Sequence, residues 1–385
     1  MKPLIRKKIS VFFSVVSLSY LMSSCSLNFV VINTRGSSSV QPFIDALSAL
    51  YAKYEPVEIS VQAGGSTSGI TSVLDDTANI GNVSRSPREQ VLSSKKLSKD
   101  WKEKEIKTVT LAKDAIAIIY KKPDNLDAKN FYVDANNISK IYEAFAGHNN
   151  VSLSNFYFGN NIKEDFSVIP FARSGAASVS GTAEAFLHNS GLIKDNELDK
   201  TTFETLKGLI DYGSNTITTG ESNVETYNFF KTNARKVGSM TYLSLGFILN
   251  NIDAIHKDGF EVLNYKINDK VVTPTIESVR DSSYKWTRPY NIVFSLKNNN
   301  EEKLKSIKEF IKFTVFSSNY SIKEKVDEVY KSQGLIHLSD NEIKQMFLID
   351  KSLKNKTINE LLDANEDLFW TSDYSFNPIR FGVEF

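Results

Sequence analysis

Three short stretches crowd hydroxyls where an extended run hands over to a helical one: GSSS at 36–39, GGSTS at 64–68 and SGT at 180–182. A helix start carries unpaired backbone N–H groups and a partial positive charge. Glycine lets a ligand approach that backbone, and hydroxyls add donors. For one such turn, a serine capping its own helix is a sufficient explanation. Three turns of one grammar, with Arg173 shortly before the third, point to an anion trap built mainly from neutral donors.

The flanking residues say which elements hold these turns. Phe29 to Ile32 is apolar and β-favouring, and Gly36 permits a tight turn. Val40, Phe43, Ile44, Leu47, Leu50, Tyr51 and Tyr54 then fall at helical spacing. In the second copy Val57, Ile59 and Val61 alternate as a strand. Gly64 and Gly65 turn the chain, and Ser66, Thr67 and Ser68 precede a helical face of Ile70, Val73 and Leu74. In the third, SVIPFAR at 167–173 leads through SGT to Ala183, Phe186 and Leu187.

Composition narrows the class. A chain of 385 residues can hold two separate cores, and 41% hydrophobic with 24% charged residues is an ordinary soluble balance. A net charge of +1 argues against a protein built to coat nucleic acid. Cys25 is the only cysteine, so no intramolecular disulfide forms. His148, His188, His256 and His337 lie far apart without zinc spacing, and no metal or other cofactor is expected. There is no Walker loop and no Gly-x-Ser-x-Gly elbow.

The amino terminus reads as a targeting segment over 1–24. Lys2, Arg6, Lys7 and Lys8 precede an apolar stretch from Ile9 to Leu21 that is short for a membrane span. It ends in LMSSC, which resembles the bacterial lipobox, whose cysteine is lipidated. The expected anchor is therefore Cys25, and the alternative is an ordinary signal peptide with an incidental cysteine. Losing those four basic residues takes the charge from +1 to −3.

The ordered set GSSSVQP (36–42), AGGSTSGI (63–70), ANIGNVSRS (78–86), Arg173 with SGTAEAF (180–186), VGSMTYLSLGF (237–247) and the stretch 310–338 resembles the PstS-like phosphate-binding lipoproteins of ABC importers. The resemblance covers about residues 28–340. It implies an α/β fold: a type II periplasmic-binding-protein clamshell, two lobes joined by two crossover strands with the ligand in the cleft. It implies phosphate contacts at Ser38, Ser39, Ser66, Ser84, Arg173, Ser180, Gly181 and Thr182, with Ser37 and Thr67 as helpers. Arg173 would supply a full positive charge in a bidentate-capable fork.

This chain departs from the pattern in three places. Some relatives carry an aspartate at the position of Ser84, where it accepts the remaining proton of hydrogen phosphate and repels sulfate. A hydroxyl both donates and accepts, so that discrimination is weaker here. Arg85 follows, either adding charge to the site or sitting in a surface salt bridge. SGAASV between Arg173 and Ser180 lengthens the usual loop by three residues. Residues 340–385 continue past the resemblance.

The expected organisation is lobe one at 28–114 and 286–339, lobe two at 115–285, and a C-terminal helical extension at 340–385. TVTLAKDAIAIIYKK (108–122), with two apolar runs, reads as the first crossover, and RPYNIVFSLK (288–297) as the return. SSKKLSKDWKEKEIK (93–107) reads as a solvated helix or loop, and KINDKVV (266–272) as a hairpin. Phe369 and Trp370 are expected to pack on lobe one.

The leading functional reading is a lipid-anchored monomer on the extracellular face of the cell membrane. It captures inorganic phosphate and hands it to an ABC permease with a separate ATPase; it is no enzyme and binds no nucleic acid. The alternatives are the same fold on another oxyanion such as sulfate or molybdate, a serine hydrolase or phosphatase, and an adhesin or sensor that lost the ligand. Ser93 and Lys96 match Ser-x-x-Lys, but within a charged run.

Overall fold

The computed structural model describes residues 29–159, 165–297, 300–316, 323–347 and 349–370. The leader at 1–24, Cys25 and everything beyond residue 370 lie outside them.

The strands, in chain order, are β1 (Val30–Gly36), β2 (Val57–Ala63), β3 (Ile80–Val83), β4 (Ile106–Tyr120), β5 (Tyr132–Val133), β6 (Ile169–Arg173), β7 (Ile217–Thr219), β8 (Ser239–Ser244), β9 (Glu261–Val262), β10 (Asn264–Ile267), β11 (Lys270–Val272) and β12 (Thr287–Ser295). Among the described residues, nine of them form one sheet in the order β2-β1-β3-β12-β4-β8-β6-β7, with β9 also on β4. Helices pack beside it, and β11-β10-β5 makes a small second sheet. The result is a two-lobed α/β clamshell.

Two strands carry the chain between the lobes. β4 is one unbroken strand of 15 residues that takes in both apolar runs. Its first part, Ile106 to Ala115, pairs antiparallel with β12, and its second, Ile116 to Tyr120, with β8. It is buried almost throughout, and Lys107, Thr108, Thr110 and Asp114 are buried along with its apolar residues. The hydrophobic cores divide accordingly. Ile32, Phe43, Leu47, Val109, Ile292, Phe310 and Ile311 belong to one cluster. Ile118, Tyr142, Phe145, Phe186, Tyr242 and Trp286 belong to another.

Local elements follow from their residues. In the 266–272 hairpin, Asn268 and Asp269 have φ of 47° and 61°, the left-handed pair that a two-residue turn requires. The charged run contains the helix Lys95–Glu103, capped by Ser94, with Trp101 buried beneath its solvated face. Past residue 340, the helices Asp340–Met346 and Ile358–Asn365 start on the capping boxes of Ser339 with Glu342 and Thr357 with Glu360. Phe369 and Trp370 are buried beside Phe347, and Phe369 also meets Phe316, in the first cluster.

Candidate functional site

Strand register brings the first-lobe loops together. β1 lies between β2 and β3, parallel to both, and Gly36 is level with Ala63 on one side and Asn82 on the other. The loops leaving the carboxyl ends of all three strands therefore start at one height, where open α/β sheets place ligands. Gly36 has φ of 144°, and a Cβ there would stand 2.1 Å from the Asn82 carbonyl oxygen. Only glycine fits, and the Ser37 N–H donates to that same oxygen at 2.8 Å.

The first-lobe hydroxyls are not spent on capping. The helix Gln41–Tyr51 follows Val40, and the helix Gly65–Leu74 follows Gly64; neither has a side-chain cap. The second helix begins at Gly65, so Ser66, Thr67 and Ser68 lie inside its first turn and do not precede it. Ser37 Oγ instead donates to Ser84 Oγ at 2.9 Å, and Ser66 Oγ lies 3.3 Å from the same oxygen. The Ser84 N–H donates to Ser66 Oγ at 3.1 Å. Ser66 and Ser84 are wholly buried.

The second lobe meets this cluster from across the cleft. β6 ends at Arg173 level with Thr219 at the end of β7, so their loops also start together. The extra residues after Arg173 form the short helix Ala176–Val179. Ser180 then caps the helix Gly181–His188 through the Ala183 N–H, so for this serine the plain capping role holds. A Cβ on Gly181 would fall 1.9 Å from Ser84 Oγ and 2.8 Å from Ser66 Oγ. Ser39 Oγ lies 2.9 Å from Thr182 Oγ1, and Thr67 Oγ1 donates to the Ser178 carbonyl at 3.2 Å. The lobes are thus in contact along the hydroxyl loops.

A cleft of about 560 Å³ opens beside these contacts. Its walls include Ser37, Ser38, Ser39, Gly65, Ser66, Ser180 and Gly181, and on one side Glu221, Ser222 and Glu225. Sequence reasoning missed that acidic side. Glu221 follows a three-residue strand whose first two residues are exposed, which leaves little hydrophobic pattern to read. Glu221 Oε1 accepts from Ser174 Oγ at 2.7 Å and from the Gly175 N–H at 2.5 Å. The backbone N–H and hydroxyl of Ser222 hold the Glu225 carboxyl below its ordinary pKa.

The arginines are placed differently from expectation. Arg173 is fully buried and is not among the cleft walls. Its Nη1 donates to the Glu221 carbonyl and its Nη2 to Asn223 Oδ1 at 2.6 Å, while Nε has no hydrogen-bond partner. Burial lowers its pKa to about 10. The guanidinium fork is therefore occupied by the segment that walls the cleft and is not presented to the serines. Arg85 is no surface residue either. Its Nη2 donates to Thr67 Oγ1 and Gln90 Oε1, each at 2.8 Å, and its Nε lies 3.2 Å from Glu184 Oε2 on the opposite lobe. A third arginine went unnoticed in the sequence. Arg288 on β12 is fully buried and donates from Nη1 to Thr182 Oγ1 at 2.8 Å. It opens the RPYNIVFSLK stretch, with no motif to mark it as part of a site.

The other chemistry does not assemble. Ser93 Oγ donates to the Gln90 carbonyl at 2.7 Å, as a helix-end serine does, and Lys96 lies in the first turn of the next helix. Among the described residues, no group of three or more His, Cys, Asp or Glu could hold a metal ion.

Comparison with known proteins agrees with this architecture. The family model described as a PBP superfamily domain matches residues 26–319. An uncharacterized lipoprotein of Mycoplasma genitalium, MG412, is 38% identical over 377 residues, covering 95% of each chain. A structure from Clostridium perfringens, described as a phosphate ABC-transporter substrate-binding protein with bound phosphate, superposes with a TM-score of 0.54 at 19% identity, covering 80% of this chain and 100% of the other. An ABC-type phosphate transport receptor from Vibrio cholerae gives 0.52 at 20%, with the same coverage.

Proposed function

Because the chain belongs to the PBP superfamily, and shares its fold with a structure described as a phosphate ABC-transporter substrate-binding protein with bound phosphate, we propose that it captures inorganic phosphate outside the cell and delivers it to an ABC permease driven by a separate ATPase. One observation carries the reading. Loops at the carboxyl ends of both half-sheets bring Ser37, Ser39, Ser66, Ser84, Gly181 and Thr182 into a single cross-lobe cluster. On this reading lobe one is 28–114 with 286–339, and lobe two is 115–285. The anion is held by Ser38, Ser39, Ser66, Ser84, Ser180, Gly181 and Thr182. Arg173 contributes its charge from behind the wall formed by Glu221 to Asn223. Cys25 carries the lipid, and the protein binds without catalysis.

A second reading keeps the fold and changes the oxyanion. It is favoured by the hydroxyl of Ser84, which can donate to a fully ionised anion as readily as it accepts from a protonated one. A thermal-shift panel separates these readings. Phosphate and arsenate, which share shape and protonation, should raise the unfolding midpoint, and sulfate and molybdate should raise it less. A larger shift with sulfate or molybdate supports the second reading. Turnover of a nitrophenyl phosphate that disappears in Ser66→Ala would instead make the protein an enzyme.

A further inference from the structure

Thr182 has a second partner besides Ser39. Arg288 Nη1 donates to Thr182 Oγ1 at 2.8 Å. Arg288 also meets Asp114: its Nε lies 2.8 Å and its Nη2 2.7 Å from Asp114 Oδ2. Nη2 further donates to the Tyr290 hydroxyl at 3.3 Å, and Ser244 Oγ donates to the Asp114 carboxylate at 2.9 Å. Arg288 and Asp114 are register partners on β12 and β4, the two strands that pass between the lobes. The guanidinium thus has two roles at once. One edge is clamped by the carboxylate at the crossover, and Nη1 reaches the helix that starts at Gly181.

A guanidinium can only donate, so the bond from Arg288 fixes Thr182 Oγ1 as an acceptor there. The Thr182 hydroxyl keeps one hydrogen, with Ser39 Oγ 2.9 Å away. Accepting from a cation polarises an O–H and strengthens it as a donor. The favoured order of donation is then Arg288 to Thr182 to Ser39, which frees the Ser39 hydrogen for the cleft that Ser39 lines. Without Arg288, Thr182 could equally accept from Ser39, and the hydrogen facing the cleft would be lost.

We propose that Arg288, clamped by Asp114, is a positioning residue for the anion site: through Thr182 it orients the Ser39 hydroxyl as a donor to the bound oxyanion. This rests on the reading of the cleft as a phosphate site. It also assigns the nearby positive charge a second source besides Arg173. The crossover, the second-lobe helix and the first-lobe loop become one hydrogen-bonded chain, complete only when the lobes meet.

The test is phosphate affinity by calorimetry on the full-length chain, alongside denaturant unfolding. Arg288→Lys keeps the charge beside Asp114, but a point charge cannot also reach Thr182 through a planar fork. It should weaken binding by about 10- to 100-fold while the unfolding midpoint holds. Where a lysine is not tolerated, the apolar pair Asp114→Leu with Arg288→Met removes both charges without leaving one unpaired, and should show the same loss. Thr182→Val should weaken binding similarly. Adding Arg288→Lys to Thr182→Val should cost no more than about twofold beyond the single change, because the relay is already cut. A purely structural role would move the unfolding midpoint and leave the two effects on affinity additive. Wild type that binds phosphate, with Arg288→Lys binding equally well or with additive effects, overturns the inference alone. Wild type that binds no phosphate overturns the functional reading and this inference together.

Discussion

Gly181 shows how small the tolerance is at the centre of the site. Its missing side chain leaves room for Ser84 Oγ, and an added Cβ would sit 1.9 Å from that oxygen. Ser84 cannot give way cheaply, since it accepts from Ser37, and its N–H donates to Ser66. The conflict exists only when the lobes touch, because Gly181 and Ser84 belong to opposite sides. Gly181→Ala should therefore leave the ligand-free protein about as stable as wild type, within about 1 kcal/mol. It should weaken phosphate binding by about tenfold or more, the cost of overpacking an interface by one methyl. A binding titration beside a denaturant melt checks both halves. Unchanged affinity would mean that the anion is held without this close approach. The serines and this glycine were legible in the sequence because hydroxyls clustered with glycines at strand ends have few bland explanations. Arg288 and Glu221 were not, because a single charge in a buried strand or after a short edge strand has no periodicity to announce it.

At the scale of elements, the contact between the helix Gly181–His188 and the loop after β3 is electrostatic. Glu184, in the first turn of that helix, faces Arg85 at 3.2 Å. Burial raises the Glu184 pKa to about 7, and Arg85 opposes that rise. The folded value thus lies above the ordinary carboxylate value of 4.5. The folded state binds more protons than the unfolded state between those limits, so this group's contribution to stability declines as pH rises from about 4.5 to about 7. The attraction to Arg85 behaves oppositely: it is present above about 7, where Glu184 is ionised, and fades as pH falls below that. Arg85→Met removes the attraction together with the bonds to Thr67 and Gln90, and of these only the attraction depends on pH in this range. It should destabilise the protein more at pH 8 than at pH 5.5, read as the difference in denaturation midpoint from wild type at each pH. An equal loss at both values would show that Arg85 acts through Thr67 and Gln90 instead. Sequence left the role of Arg85 open because a cross-lobe partner lies 99 positions away in the chain, between Arg85 and Glu184. The hairpin at 266–272 was readable because its turn residues determine it locally. The extent of β4 was less so, because one strand buried in two lobes looks like two apolar runs.

For the whole molecule, the sheet order states the design. Two half-sheets share β4, and the carboxyl ends of their parallel strands face one cleft. On the proposed reading the two crossover strands are the hinge on which the lobes part and close around a ligand, with contacts to both sides favouring the closed form. The leader and Cys25 would tether this clamshell to the membrane. Detergent phase partitioning should place wild type with the detergent and Cys25→Ala in the aqueous phase or as uncleaved precursor; equal partitioning of both would contradict lipidation there. Whether the cleft takes phosphate is tested most simply by isothermal titration of the phosphate-stripped full-length chain. One phosphate should bind per chain, be displaced by arsenate, and be lost on combining Ser66→Ala with Gly181→Ala. No heat and no thermal shift at millimolar phosphate would contradict the phosphate reading.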